Sequence, residues 1–84
     1  MVDDAIWQWR GRRWAHLVSD ESYDELHQFA SAIGLERRSF QGDHYDVPTE
    51  IRLVAIEAGA TPVGSRELLR RLRNAGLRRR PKRT

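Results

Sequence analysis

The stretch SYDELHQFASAIG, residues 22–34, carries a complete set of helix signals. It opens with a capping box, in which the Ser22 hydroxyl accepts from a first-turn N–H and Glu25 reaches back to the helix start. Gly34 ends the pattern, as glycine readily takes the left-handed conformation found after helices. Between these signals lies an apolar stripe at helical spacing, formed by Leu26, Phe29, Ala30 and Ile33. The stretch predicts an amphipathic helix packed on a core.

Two further segments repeat the combination of apolar stripe and final glycine. One begins near Pro48, whose missing N–H is not needed in a first turn, and ends at Gly59. The other begins after Ser65 and ends at Gly76. Their stripes are Ile51, Val54, Ala55 and Ala58 in the first segment, and Leu68, Leu69, Leu72 and Ala75 in the second. The chain therefore predicts three helices.

Short extended segments lie between these helices: MVDD (1–4), WAHLV (14–18), RRSF (37–40) and TPV (61–63). WAHLV is apolar except at His16, as expected of a strand covered on both faces. Pro62 removes a ladder donor, so TPV is predicted to be an edge strand. The order β-β-α-β-α-β-α predicts a small α/β layer fold, with a largely parallel, short-stranded sheet and three helices. One domain is predicted over residues 1–77, followed by a basic, disordered tail, 78–84.

Length and composition narrow the class of protein. A chain of 84 residues is a single domain that buries only about 60% of its unfolded surface. Without cysteine it has neither a disulfide nor a thiolate metal site. It contains no apolar run of the roughly 20 residues that span a membrane, and no charged-then-apolar leader. The sequence predicts a cytoplasmic protein that does not interact with membranes, as a monomer or as a homodimer paired through a sheet edge.

The positive charge is concentrated at one end of the chain. Residues 66–84 hold nine Lys/Arg and one acid, whereas residues 1–65 hold six arginines and eleven acids. The basic side chains form a strip on the third helix and continue into the tail: Arg66, Arg70, Arg73, Arg78, Arg79, Arg80, Lys82 and Arg83. Such a strip binds phosphate backbones without reading sequence. The alternative is a solvated helix face with a solubilising tail.

Polar side chains follow each predicted strand. Ligands of open α/β sheets bind beyond the carboxyl ends of the strands, where helix N-termini favour anions. The sequence therefore predicts that these side chains gather at one sheet edge, with the heptapeptide GDHYDVP (42–48) among them and His27 leaning over the same edge. The predicted cluster contains Asp3, Asp4, Ser19, Asp20, Asp43, His44, Tyr45, Asp46, Gly64 and Ser65.

Two kinds of chemistry fit this composition. Histidine and carboxylate ligands suit zinc, manganese or iron. The candidate metal ligands are Asp3, Asp4, Asp20, His44 and Asp46, and the candidate catalytic side chains are His16, His27 and His44. The candidate ligand-binding side chains are Ser19, Arg37, Tyr45 and Ser65. A serine nucleophile would be Ser19 or Ser65, but the motifs HExxH, CxxC, GxSxG, GxGxxG and the P-loop are all missing from the sequence.

A purely structural interpretation competes with this chemistry. Asp20, Ser22, Asp46 and Ser65 all stand where helix N-caps are expected, and capping alone accounts for such residues. His16 would then be a core histidine bonded to the backbone, and His27 would lie at the rim of an apolar stripe.

Several short motifs resemble a known family. VDD, HLVSD, ELHQFASAIGL, RRSFQGDHYDVP and AIEAGATPVGSREL are similar, in that order, to a small bacterial and phage family called domain of unknown function 4031. The resemblance extends to Leu77 and implies a compact α/β domain found alone in bacteria and their phages, but no reaction. Members carry more apolar residues before VDD, so the first strand here is expected to be stunted or its start trimmed. The polar positions that match are Asp3, Asp4, His16, Asp20, Glu25, His27, Arg37, His44, Tyr45 and Asp46.

Three functions follow as hypotheses. The first is a nucleotide, phosphate or nucleic-acid binding module that combines the polar cluster with the basic helix and tail. The second is a small metal-dependent hydrolase, a nuclease or phosphodiesterase that uses the His/Asp cluster. The third is a protein-interaction domain with no ligand site. The binding module is ranked first because a chain this small has little structure with which to hold a precise, water-excluding site.

Overall fold

The computed structural model describes residues 1–4 and 7–78. The strands are β1 (Trp7–Trp9), β2 (Arg12–Leu17) and β3 (Tyr45–Pro48), and the helices are α1 (Tyr23–Ala32), α2 (Thr49–Glu57) and α3 (Ser65–Asn74), with a short 3₁₀ helix at Arg37–Ser39. The three predicted helices and the α/β content are confirmed. Within this part of the chain, none of the helices has the length and apolar character needed to cross a membrane.

The sheet corrects the predicted topology. Its strands lie in the order β1-β2-β3, and both pairings are antiparallel. In the described residues, parallel pairing is confined to one isolated bridge between Val2 and Pro62, beside an antiparallel bridge from Val2 to Leu17. The Val2 N–H donates to the Thr61 carbonyl at 3.0 Å, and the Val63 N–H donates to the Val2 carbonyl at 2.9 Å. The predicted strands at 1–4 and 61–63 are thus reduced to this bridge.

A two-residue turn explains why the first pairing is antiparallel. Arg10 and Gly11 connect β1 to β2 and both have positive φ, 52° and 73°. Hairpin turns of this kind match the right-handed twist of the strands that they join. Parallel strands instead need a crossover of a dozen or more residues, for which this connection has no room. The largely parallel sheet was therefore a wrong prediction.

The prediction of a strand at 37–40 was also wrong. Residues 37–39 form the 3₁₀ helix and are exposed, whereas the strand lies eight residues further on, at YDVP. A tight turn separates the two segments, in which Gly42 has a φ of 83° and the Gln41 N–H donates to the His44 carbonyl at 2.7 Å. Asp46 is consequently a strand residue and not the predicted N-cap of α2, a position that Pro48 occupies.

Alternation along β2 and β3 divides the sheet into two faces. Ala15 and Leu17 on β2, and Tyr45 and Val47 on β3, are at most 1% exposed and face the main core. That core is completed by residues of the helices α1 and α2 and of the N-terminal segment, among them Val2, Leu26, Ala30 and Ala55. Successive side chains of a strand point to opposite faces, so His16 and Asp46 lie on the other face of the sheet.

Helix α3 packs on a second, smaller cluster. Leu68 and Leu72 are buried there against Val18, which follows β2. The helix starts at Ser65, with Gly64 as its N-cap, so Ser65 is a first-turn residue and not the predicted cap. Half of the capping box predicted for α1 is confirmed, because the Ser22 hydroxyl accepts from the Glu25 N–H at 3.0 Å. The Glu25 carboxylate accepts from the Ser19 hydroxyl, and the Ser22 N–H donates to Ser19 Oγ at 3.2 Å.

Candidate metal centre

A cross-strand pair lies at the centre of the site. His16 on β2 stands directly opposite Asp46 on β3 in the antiparallel register. Side chains of directly opposite residues are close neighbours on one face of a sheet. His44 immediately precedes β3, where the Gly42 turn places it beside this pair. Antiparallel pairing thus brings His16 to His44 and Asp46, which lie much later in the sequence.

The potential ligand atoms of these three residues converge. Asp46 Oδ1 lies 3.1 Å from His44 Nε2 and 3.9 Å from His16 Nε2. One ligand atom from each residue lies within 4.8 Å of the others. The two imidazole rings meet edge to face, with centroids 5.1 Å apart and an interplanar angle of 75°. Two nitrogens and one carboxylate oxygen therefore surround a common point.

The Asp3 carboxylate contacts His16 on the Nδ1 side of the ring, away from Asp46. This carboxylate is almost fully buried and accepts from the His16 backbone N–H at 2.6 Å and from the Ser65 hydroxyl at 3.1 Å. Its Oδ2 also lies 2.8 Å from His16 Nδ1. Burial on its own raises the pKa of Asp3, but the hydrogen bonds from His16 and Ser65 outweigh it and hold the pKa below its ordinary value. The carboxylate is ionised at neutral pH and accepts the Nδ1 proton, so Nε2 faces Asp46.

Asp43 holds His44 in the same way. Its side chain is 3% exposed, with Oδ1 2.6 Å from His44 Nδ1 and Oδ2 accepting from Arg78 Nη1 at 3.1 Å. The pKa of His44 is raised above its ordinary value, chiefly by the Asp46 carboxylate, against the opposing effect of burial and with a further contribution from Asp43. The two carboxylates therefore favour the charged form of His44, and a metal ion at Nε2 would have to displace a proton.

One oxygen in this arrangement is left without a hydrogen bond. Asp46 Oδ1 is buried and has no hydrogen-bond partner in the part of the chain that the structure describes. His44 Nε2 lies 3.1 Å away and forms an ion pair with this oxygen when the imidazole is protonated. A buried carboxylate oxygen without a partner costs free energy, which a bound cation would recover.

A cleft of about 190 Å³ opens over the cluster. The polar cluster forms one side, with Asp3, His16 and His44 on its wall. The opposite side is the apolar face of α3, and Arg78 stands at the end of that helix segment. The α3 residues that line the cleft are Ser65, Leu68, Leu69 and Leu72. A molecule bound here would meet both the cluster and α3.

The structure brings together only some of the residues predicted for the site. Asp3, His16, His44, Asp46 and Ser65 meet in the cluster, although mid-strand pairing and not parallel strand ends unites them. Asp4 is exposed and lies 3.7 Å from Arg52, so it is not placed as a ligand. Asp20 is also exposed and lines a separate depression beside Glu25 and Arg71.

The remaining candidates lie away from the cluster. His27 Nδ1 is 2.8 Å from the Tyr45 hydroxyl, on the core face of the sheet. Arg37 is exposed on the 3₁₀ helix. Ser19 donates to Glu25 and accepts from the Glu21 N–H, so it organises the turn before α1. Ser19, predicted as a ligand-binding residue, is therefore a turn residue, and Ser22 is the N-cap of α1.

Asp43 was predicted in the polar cluster as part of the GDHYDVP stretch, but it was assigned no role as a ligand or catalytic group. Its burial, which marks it as a partner of His44, became visible only in three dimensions.

The predicted basic strip is divided in the described structure. Arg70 and Arg71 both bind Glu67, whose pKa they lower to about 2. Arg66 and Arg73 are exposed and make no ion pair with residues 1–4 or 7–78. Arg78 reaches the site through Asp43. The other predicted members, Arg79, Arg80, Lys82 and Arg83, lie outside the described residues.

Comparison with known proteins identifies a family but no activity. The model of a family described as "Protein of unknown function (DUF4031)" matches residues 1–75. This match confirms the resemblance found in the sequence motifs. No curated protein and no solved structure matches the chain with significance.

Proposed function

The chain belongs to the DUF4031 family of unknown function, and from the geometry of its site we propose that it is a small metal-dependent hydrolase. The observation that supports this proposal is the buried Asp46 Oδ1, which lacks a hydrogen bond and lies between two imidazole nitrogens. The proposed ligands of the ion are His16 Nε2, His44 Nε2 and Asp46 Oδ1.

The residues behind the histidines support the same assignment. A histidine that binds a metal through one nitrogen usually donates its other N–H to a carboxylate, which fixes the tautomer and the ring orientation. Asp3 does so for His16, and Asp43 does so for His44. Two such pairs directed at one carboxylate oxygen are hard to explain as helix caps.

The distances agree with a small ion. Nitrogen and oxygen ligands of a tetrahedral zinc lie about 2.0–2.1 Å from the ion, and therefore about 3.3 Å from one another. The His44–Asp46 separation of 3.1 Å is close to this value. The His16–Asp46 separation of 3.9 Å requires the half-buried His16 ring to move inwards by about 0.6 Å.

Three protein ligands leave a coordination position for chemistry. Structural zinc sites are closed by four protein ligands, whereas catalytic sites keep a position for water or substrate. An ion at this position lowers the pKa of its bound water and polarises a bound ester. The cleft between the cluster and α3, whose wall includes His16 and His44, is the route that we propose for a substrate.

A nucleic-acid binding module without chemistry is the second candidate. The exposed guanidinium groups of Arg66 and Arg73 favour it. Nucleic-acid binding alone, however, gives no role to the Asp46 oxygen that lacks a hydrogen bond. We therefore rank the hydrolase first. The third hypothesis, a domain with no ligand site, accounts for Ser19 and Ser22 as turn and cap residues but not for the paired histidines.

Titration of the purified, chelator-treated protein with Zn²⁺, Mn²⁺ or Co²⁺ in a calorimeter tests the proposal. We expect one ion per chain, and a loss of affinity of about a hundredfold or more in His44→Ala, which removes a direct ligand. The matched control is His27→Gln, which removes a histidine outside the cluster and should bind the ion as the wild type does.

Binding of Co²⁺ gives a second, spectroscopic readout, because its visible absorption reports the number and type of ligands. The proposal is wrong if the wild-type protein binds no ion, or if His44→Ala and His27→Gln lose affinity equally. Circular dichroism of both variants separates loss of a ligand from loss of the fold.

A further inference from the structure

We propose that the substrate of this metal centre is a single-stranded nucleic acid, whose phosphodiester backbone lies along the arginines of α3 and enters the cleft beside Arg78. The inference rests on the proposed metal-dependent hydrolysis and names its substrate class. Its support is the position of the exposed arginines relative to the cleft, which sequence alone did not provide.

Helix α3 presents its apolar and basic faces side by side. Ser65, Leu68, Leu69 and Leu72 line the cleft, and at 100° per residue they occupy one sector of the helix. Arg66 and Arg73 are seven residues apart, so they project in nearly the same direction, next to Leu69 on the rim of that sector. Both are exposed. They therefore flank the cleft along about 10 Å of helix.

Arg78 lies between the arginines of α3 and the proposed metal ligands. It lines the cleft with His16 and His44, and about a third of its side chain, 34%, remains exposed while Nη1 binds Asp43. The segment that carries it is fixed in place, because the Tyr23 hydroxyl donates to the Leu77 carbonyl at 2.5 Å. The remaining N–H groups of the planar guanidinium suit a phosphate at the cleft mouth.

The dimensions favour a single strand over a duplex. The cleft holds about 190 Å³ and has His16 and His44 on its wall, so we expect a backbone to enter it as one flexible chain. The paired strands of a rigid duplex would not fit a cleft of this volume. The leucines on the α3 side offer an apolar surface for an unstacked base or a sugar.

The chemical step is hydrolysis of one P–O ester bond. An ion held by His16, His44 and Asp46 would supply the nucleophile, a bound water whose proton would pass to solvent. The oxygen of this water would form a new P–O bond while the bond to the leaving sugar oxygen breaks. The leaving oxygen takes a proton from water. The products are one alcohol and one phosphate monoester, and the step needs only water as co-reactant.

Binding is tested first, with a fluorescein-labelled oligothymidylate in chelator across a salt series. Arg66→Gln/Arg73→Gln should weaken binding about tenfold and reduce the slope of log K against log salt by about 1.4, for two lost phosphate contacts on a single strand. The matched control is Arg12→Gln/Arg38→Gln, which removes the same charge from two exposed ion pairs elsewhere and should change affinity less than twofold.

Cleavage is tested with the same oligonucleotide and the ion that calorimetry selects. We expect labelled fragments with the wild type, none with chelator or with His44→Ala, and slower cleavage by Arg66→Gln/Arg73→Gln when the oligonucleotide is dilute. Arg78→Gln should slow cleavage even at saturating oligonucleotide, because its guanidinium is placed at the phosphate nearest the ion.

The two proposals can fail separately. If the ion binds as expected but the two double variants bind the oligonucleotide equally well, or no fragments form, the substrate inference is overturned and the metal centre stands. If the wild type binds no ion, the proposed hydrolase is overturned, whatever the oligonucleotide does. Ion affinities of the two double variants should equal that of the wild type, which shows that neither disturbs the centre.

Discussion

At the scale of single residues, the cluster depends on two carboxylates that are not among the proposed metal ligands. Asp3 and Asp43 are both nearly buried, and each places one oxygen beside an imidazole Nδ1. A buried carboxylate is tolerated only when its lone pairs are used, and Asp3 uses them on three donors. The histidines are thereby held in one tautomer and one orientation before any ion arrives, which lowers the cost of binding it.

Asp43→Asn tests this positioning role. The amide accepts the Nδ1 proton less strongly and carries no charge to stabilise the ligand, so ion affinity should fall about 10- to 100-fold. Calorimetric titration measures the fall. Asp20→Asn is the matched control, because Asp20 was a predicted ligand but is exposed and outside the cluster. A wild-type affinity in Asp43→Asn would contradict the role assigned to Asp43.

His27 provides a pH-dependent prediction away from the cluster. Burial, and secondly the charge of Arg37, lower its pKa below the ordinary value of 6.5. The folded protein thus disfavours the charged imidazole. The stability that depends on a neutral His27 is fully present above pH 6.5. It is lost as pH falls through 6.5 towards the folded-state pKa, because the unfolded chain binds the proton more readily.

Titration of the His27 ring protons by NMR should therefore give a pKa below 6.5. Denaturant unfolding of the wild type should show a fall in stability between neutral and mildly acidic pH that is smaller in His27→Gln. A measured pKa at or above 6.5, or identical pH profiles for the two proteins, would refute the prediction.

At the scale of elements, the helices were predictable because their signals are local. The capping box at Ser22, the apolar stripes and the terminal glycines each act within a few residues, and the three helices were found where these signals lie. Strand pairing is not local. Residues 37–40 and 45–48 are both short segments of polar and apolar residues. They differ in the burial of Tyr45 and Val47 in the core, which stabilises 45–48 as the strand.

The candidate site was predictable in composition but not in arrangement. His44 and Asp46 were predicted as metal ligands within the GDHYDVP stretch, and the structure puts both in the cluster. His16, Asp46 and Asp3 meet because of an antiparallel register that the expected parallel sheet excluded. Asp4 and Asp20 were assigned as ligands because a parallel sheet would have brought them to the same edge. The sheet is antiparallel, and both residues lie away from the cluster.

The turn of the β1–β2 hairpin was not predicted from the sequence. A substitution at Gly11 tests its conformation. A Cβ at this position would meet nothing within 4 Å, so the effect of a substitution is that of the backbone, held at a φ of 73°. Gly11→Ala should destabilise the protein by about 1–2 kcal/mol. Gly11→Asn should cost less, because asparagine tolerates the left-handed region.

Chemical denaturation of the two variants measures the difference. Equal stability of Gly11→Ala and the wild type would mean that the hairpin turn does not have this conformation. Equal losses in Gly11→Ala and Gly11→Asn would point to a cause other than backbone strain.

At the scale of the whole molecule, the cluster connects the N-terminal segment, the sheet and helix α3. Asp3 comes from the N-terminal segment, His16 from β2, and His44 with Asp46 from the turn and β3. Ser65 and Arg78 attach α3 and the segment that follows it. A domain of this size has a limited core, so an ion at the junction of these segments should contribute noticeably to its stability.

We therefore expect the ion to raise the melting temperature of the protein. At an ion concentration about 100 times Kd, binding to the folded state alone contributes about 2.7 kcal/mol. For a domain of 60–100 residues each kcal/mol corresponds to about 4–8 °C, so the increase should be about 10 °C or more. Calorimetric melts with ion and with chelator measure it, and His44→Ala should show no increase while His27→Gln shows the full one. An ion that binds tightly yet leaves the melting temperature unchanged would have equal affinity for the unfolded chain, and the cluster would then be an exposed chelating group and not a centre built by the fold.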